Sequence, residues 1–297
     1  MIIVKNLTKN YGNNRGIFNL SFQIKAGSCV GFLGPNGAGK TTTIRHLLGL
    51  IQNYTGSASI KNLNCKTDSV EIQKYIGYLP GEINFIDDIK GNELIDLISA
   101  MKEMSNLDYA YELLQLFELK PNMKIHKMSK GMKQKLAIVI AFMNDPEILI
   151  LDEPSSGLDP LMQQRLIELI LDHKKRGKTI FLSSHSFEEV EKTCDRIIMI
   201  KDGHIVNDSH IEQLIKEQIR KYEVKFSKES DVHDFLKKHH GTQVDNLTVL
   251  IELEQPFNEL INTLSSYNIQ DITKNTLKLE EIFMNYYGES YDKYRTL

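Results

Sequence analysis

The chain has 297 residues, 41% of them hydrophobic, and a formal net charge of −3. That is enough apolar material for one large core, or one large and one small, and the near-neutral balance sets aside bulk nucleic-acid binding. No apolar run reaches the roughly 18 residues a spanning helix needs, because Asn144, Asp145 and Pro146 separate the stretches 136–143 and 148–151. The start, MIIVKNLTKNYG, reads as a strand, without a signal peptide's basic start and long apolar middle, so secretion is not expected. Cys29, Cys65 and Cys194 lie far apart in the chain and form no CxxC pair. They read as reduced, half-buried thiols of a cytosolic protein, not as a metal site or a disulfide framework.

In chain order, residues 2–4, 17–24 and 28–32 read as short strands, divided by polar turns at Asn13-Asn14 and Ala26-Gly27. A glycine-rich loop follows, then a helix over about 39–50. Residues 85–145 are mostly helical in pattern: Leu94, Leu97, Ile98 and Met101 fall at helical spacing, as do Leu113, Leu114 and Phe117. Residues 148–151 form a continuous apolar strand of the kind buried on both faces of a parallel sheet. Asp159-Pro160 supplies a cap and a first-turn proline to a helix that Gly177 ends. Residues 179–183 are another buried strand, and Asp202-Gly203 joins strands 197–200 and 204–206 as a hairpin. Beyond about 215 the character changes. Strands at 223–226, 249–253 and 269–273, helices at 232–238 and 257–264, and a last helix with Leu279, Ile282, Phe283 and Tyr286 on one face make a small α+β appendage.

Gly34-Pro35-Asn36-Gly37-Ala38-Gly39-Lys40-Thr41 fits G-x-x-x-x-G-K-[ST], after an apolar strand and before a helix, as the motif requires. Glycines let successive N–H groups curl inward around an anion, and the helix start adds partial positive charge. Lys40 can reach the β- and γ-phosphates, the Thr41 hydroxyl can bind Mg²⁺, and Thr42 completes the loop's contacts. Arg45 and His46 read as structural or solvated. At the end of strand 148–151 stand Asp152 and Glu153. A parallel strand delivers its C-terminal end to the ligand crevice, where Asp152 would hold Mg²⁺ and Glu153 would orient the attacking water or take its proton.

Together with the segment 128–135, these motifs make residues 1 to about 215 resemble the ATP-binding subunits of ABC transporters. Met128-Ser129-Lys130-Gly131-Met132 is similar to the family signature LSGGQ. The resemblance implies that Ser129 and Gly131 cover the γ-phosphate of the ATP held by the opposite subunit, while Lys130 and Met132 depart from the usual Gly and Gln. It also implies that Asp159, in the loop Ser155-Ser156-Gly157-Leu158-Asp159, touches the partner besides capping its helix, that His185 contacts the γ-phosphate, and that Tyr11 stacks on adenine. After 76–80 the family has a glutamine, where this chain has Gly81 and Glu82. Glu82 is expected to substitute as a metal contact, one position along; otherwise the contact is missing. The basic stretch Lys124, Lys127, Lys130, Lys133 and Lys135 reads as a solvated face.

The resulting expectation is an α/β P-loop NTPase, with a RecA-like core, an antiparallel β subdomain and a helical subdomain at about 85–145. The nucleotide-binding domain spans 1–215, and an α+β appendage, dimerising or regulatory, spans 216–297. The cofactors implied are ATP and Mg²⁺. The partners implied are a second ATPase subunit, in a homo- or heterodimer, and integral membrane permease subunits docking between the 76–90 region and the helical part; no nucleic acid is expected. The implied place is the cytoplasmic face of the cell membrane. Lys130, Met132 and the segment 279–288 are similar to the ABC-2 branch, which includes bacitracin-resistance ATPases and implies export of drugs or amphipathic, antimicrobial peptides. The alternatives are a soluble ABC ATPase of translation or DNA maintenance, against which stand one ATPase core and no sustained heptads, an importer ATPase, and a non-catalytic heterodimer partner, against which Glu153 and His185 argue.

Overall fold

The computed structural model describes residues 1–216, 220–253 and 257–275. The expected last helix, and the ABC-2-like segment 279–288 with it, lies outside them. The chain divides into two compact units, Met1–Ile211 and Glu212–Leu297.

In the first unit, β1 (Ile2–Asn10), β2 (Gly16–Ile24), β4 (Thr55–Ile60) and β5 (Leu63–Asn64) form an antiparallel sheet in the order β2-β1-β4-β5. The second sheet joins β3 (Cys29–Leu33), β6 (Ile76–Leu79), β7 (Ile148–Asp152), β8 (Thr179–Ser184), β9 (Arg196–Lys201) and β10 (His204–His210) in the order β10-β9-β3-β8-β7-β6. All its pairings are parallel except the β9–β10 hairpin. The sequence reads residues 2–4, 17–24 and 28–32 as three strands in succession. The first two do pair, whereas β3 belongs to the other sheet, because its CVGFL run is buried at every position and needs cover on both faces. Phe22, Phe32 and Phe181 pack between the sheets, with ring centroids 5.3–5.9 Å apart.

The helices of this unit are α1 (Lys40–Leu47), α2 (Ser69–Gln73), α3 (Gly91–Met101), α4 (Asp108–Leu116), α5 (Lys130–Phe142), α6 (Pro160–Lys175) and α7 (Phe187–Thr193). On α3 the buried residues are Gly91, Leu94 and Ile95, while Leu97 is 43% and Met101 72% exposed. A spacing of three to four residues fixes that a helix has an apolar face, not which of its apolar residues meet the core. On α4 Leu113 and Leu114 are buried, as is Phe117 just past its end. The cysteines are all free and buried, not half-buried. Cys29 and Cys194, 165 residues apart, bring their sulfurs to 3.5 Å.

The second unit begins within α8 (Ile211–Lys216). Then follow β11 (Arg220–Phe226), α9 (Glu229–Lys238), β12 (Thr242–Gln243), β13 (Thr248–Leu253), α10 (Phe257–Leu264) and β14 (Ile269–Asn275). The strands form an antiparallel sheet in the order β12-β13-β11-β14, and the β-α-β-β-α-β succession is that of ferredoxin-like folds. Alternation places Tyr222, Val224 and Phe226 in the core with Val232, Phe235 and Leu260 of the helices.

Candidate functional site

The loop between β3 and α1 ends on Gly39, whose φ of 111° only glycine adopts without strain. It delivers Lys40 and Thr41 to the first turn of α1. Lys40 is 5% exposed; its Nζ donates to Gly34 O at 2.7 Å and Pro35 O at 3.3 Å and lies 3.3 Å from Glu153 Oε1. Thr41 Oγ1 donates to Asp152 Oδ2 at 2.8 Å. Asp152 is fully buried, and its other oxygen accepts from Ser183 Oγ. Residue for residue, β7 and β8 run in register here, Asp152 opposite Ser183.

Glu153 follows with φ 49°, in the left-handed region, at a cost of roughly 1–2 kcal/mol for a side-chain-bearing residue. Its N–H donates to Ser183 O at 3.0 Å and Ser183 Oγ at 3.2 Å. The kink turns its carboxylate towards Lys40 and His185, with Lys40 Nζ 3.3 Å from Oε1 and His185 Nδ1 3.5 Å from Oε2. The His185 hydrogen bond, with help from the Lys40 charge, overrides burial and holds Glu153 down at about 2. The same bond raises the pKa of His185. Glu153 is thus firmly ionised.

A cleft of about 500 Å³ is lined by Tyr11, Arg15, the phosphate loop and Glu153. Gly37, Gly39 and residues 40–42 face it with Asn36. The Tyr11 ring is 55% exposed, with Lys9 Nζ 5.2 Å from its centroid. A flat exposed ring at one end and backbone N–H groups with an ammonium at the other suit a base and a phosphate chain. Thr41 and Asp152 offer a hydroxyl and a carboxylate, 2.8 Å apart. That hard-oxygen pair fits Mg²⁺.

The structure brings Tyr11, the phosphate loop, Asp152, Glu153 and His185 together. It does not bring Ser129, Gly131 or Asp159 to them. Ser129 is the exposed N-cap of α5, accepting from Met132 N at 3.2 Å. Asp159 is the exposed N-cap of α6, accepting from Met162 N at 3.0 Å. A Cβ on Gly131 would meet Gly157 O at 3.0 Å, so the turn at 155–159 lies against the start of α5. Glu82 is exposed and lines a different cleft, with Met128, Lys130, Lys133 and Gln134. It is Gly81 that abuts the Asp152 carboxylate: a Cβ there would lie 3.2 Å from Asp152 Oδ2.

Sequence reasoning missed three contributors. Ser183 fastens both acidic residues, and the signal was a serine closing an apolar strand. Gln134, 2% exposed, donates to Pro154 O at 2.7 Å and so fixes the chain just after Glu153. Its signal was a lone amide in an apolar helix. Arg15 faces the nucleotide cleft from a polar turn that carries no signal at all.

Residues 17–156 match the model of the ABC transporter family. The bacitracin transport ATP-binding protein of Bacillus licheniformis is 32% identical, with 97% of each chain covered. The Nod factor export ATP-binding protein I of Burkholderia orbicola is 34% identical over 72% of each chain. A solved dimeric ATP-binding cassette, in a post-hydrolysis state bound to ADP and phosphate, superimposes with a TM-score of 0.62 and 28% identity. That match covers 71% of this chain and 99% of the cassette.

Proposed function

The chain belongs to the ABC transporter family as an ATP-binding, ATP-hydrolysing subunit, and from that premise we propose that it powers export of drugs or amphipathic, antimicrobial peptides, as one half of a dimer that closes around two ATP molecules. The observation that carries the reading is the convergence of Lys40, Thr41, Asp152 and Glu153 where β7 ends beside the phosphate loop.

In this reading the N–H groups at 37–41 grip the phosphates and Tyr11 stacks on the base. The phosphate oxygens draw Lys40 away from the carbonyls of Gly34 and Pro35 and from Glu153. Losing that cation makes Glu153 a better acceptor, and it orients the attacking water and takes its proton as the water oxygen bonds to the γ-phosphorus and the bond from that phosphorus to the bridging oxygen breaks, ADP leaving with the electron pair. His185 holds Glu153 from the other side and contacts the γ-phosphate. Thr41 and Asp152 hold Mg²⁺, which neutralises phosphate charge when bound. Glu82 adds its charge to the cleft beside Lys130 and Lys133. Ser129 and Asp159, both exposed, and Gly131 beside Ser129 serve the partner's ATP.

Export is supported by the full-length match to the bacitracin transport protein, which takes in both units. The described part of the second unit is an open four-stranded sheet, unlike the β-barrel-like ends of many importer ATPases. Among the described residues no helix is long and apolar enough to cross a membrane, so permease subunits must supply the path. Ile86, Leu97 and Met101, all exposed, offer them an apolar docking surface. The test uses inverted membrane vesicles carrying the chain with its permease. ATP-dependent uptake of bacitracin or an amphipathic helical peptide is expected, and its loss with Lys40→Ala. Uptake by right-side-out vesicles instead would replace export with import.

A further inference from the structure

The turn that carries His185 is built around a buried carboxyl. Ser184 Oγ donates to Glu189 Oε2 at 2.6 Å and accepts from Ser186 N at 2.9 Å. Ser186 Oγ accepts from Glu189 N at 3.3 Å. His185 is the residue between these two serines, so its backbone is fixed from both sides while its own side chain stays 60% exposed. Glu188 and Glu191, the other acids of α7, are exposed, as charge on a short helix normally is. Glu189 is 3% exposed.

Burial raises the Glu189 pKa, and the hydroxyls of Ser184 and Ser155 offset part of the rise. Its second oxygen, Oε1, is buried without a hydrogen-bond partner among the described residues. A buried acceptor left so is costly and calls for a role. Glu189 borders a cleft of about 190 Å³ together with Ser155, two residues past Glu153, and Gln163 of α6. Across this cleft α6 presents neutral groups, Gln163 and Gln164. The charged pair on its α7 side, Glu188 and Lys192, is closed on itself at 2.7 Å.

We propose that Glu189 is a positioning residue for ATP hydrolysis: it fixes the Ser184–Ser186 turn so that His185 stays beside Glu153. This rests on the roles given above to Glu153 and His185.

The test is a cycle of steady-state ATPase assays on the full chain: wild type, His185→Ala, Glu189→Ala and the double variant, with Glu189→Gln and Ser184→Ala beside them. Glu189→Ala is expected to lower kcat roughly tenfold while KM for ATP stays within about twofold. Glu189→Gln, which keeps an acceptor for the Ser184 hydroxyl, restores most of the rate. In the His185→Ala background, Glu189→Ala removes nothing further, because both losses pass through one imidazole. Additive losses in the double variant would discard the role of Glu189 while leaving that of His185 intact. Wild-type turnover by His185→Ala would remove the reading of the site itself. Should Glu189→Ala not fold, Ser184→Ala breaks the same bond without opening a large cavity, and an unchanged kcat there overturns the proposal.

Discussion

The two halves of the candidate site are built to different standards. The floor, made of Lys40, Thr41, Asp152 and Ser183, is buried or nearly so and linked by side-chain hydrogen bonds within one chain. The outer half, Ser129, Asp159 and His185, is exposed, and its serine and aspartate hold only the first turns of their own helices. The difference separates what a chain can set by itself from what it leaves to another surface. Buried polar groups must be satisfied locally and are thereby held rigid; exposed ones keep water until a partner displaces it. Glu153 stands at the boundary, kinked into the left-handed region and reaching a buried lysine on one side and an exposed histidine on the other.

The sharpest way to break that division is at Glu153. Glu153→Gln keeps the shape but can neither take a proton nor offer Lys40 and His185 a negative charge. ATP turnover should fall about a hundredfold or more, with ATP still bound and a closed dimer accumulating on size exclusion. Lys40→Ala should differ in kind, weakening nucleotide binding itself in a fluorescent-ATP titration. Wild-type turnover by Glu153→Gln would mean that the chemistry does not sit at this boundary.

How far the sequence reveals each half follows from the same division. The phosphate loop is legible because glycines, lysine and threonine must stand at fixed spacing around an anion. Asp152 and Glu153 are legible because an apolar strand ends in two charges. The contacts that come from register are not. Ser183 meets Asp152 only because β8 lies beside β7 in one alignment, and no local pattern encodes that pairing. Glu189 hides among the acids of α7, since a seven-residue helix is too short for its buried face to show as a period. Cys29 and Cys194 are neighbours only in three dimensions. The second unit's α+β character is readable from alternation, whereas its β-α-β-β-α-β sheet order arises from tertiary packing.

A weaker but more discriminating test concerns the outer half. Ser129 caps α5, and removing a cap costs about 1 kcal/mol of stability, so Ser129→Ala confuses folding with function. Ser129→Asp does not, because aspartate caps at least as well and suits a helix start. The melting temperature should hold. Turnover should drop roughly tenfold if the partner's phosphates lie there, since like charges at close range repel. Unchanged turnover would confine Ser129 to its helix.

The smallest effect is the most direct reading of the boundary. Glu153 raises the pKa of His185 above its ordinary 6.5, and His185 is the leading cause of the fall of Glu153 from 4.5 to about 2. A raised histidine stabilises the fold fully below 6.5, and that contribution fades as pH rises through the folded-state value. A lowered carboxylate stabilises above 4.5 and loses its contribution as pH falls through about 2. Both partners therefore contribute fully only between 4.5 and 6.5. There the difference in unfolding free energy between wild type and Glu153→Gln should be largest, shrinking towards alkaline pH and with added salt. Because His185 is 60% exposed, solvent screens most of the attraction and the difference stays small. NMR titration of the His185 ring shows the coupling more clearly: its pKa should fall in Glu153→Gln. An imidazole that titrates at the same pH in both proteins would mean that the two groups do not pair in solution, and that the outer half begins at Glu153 itself.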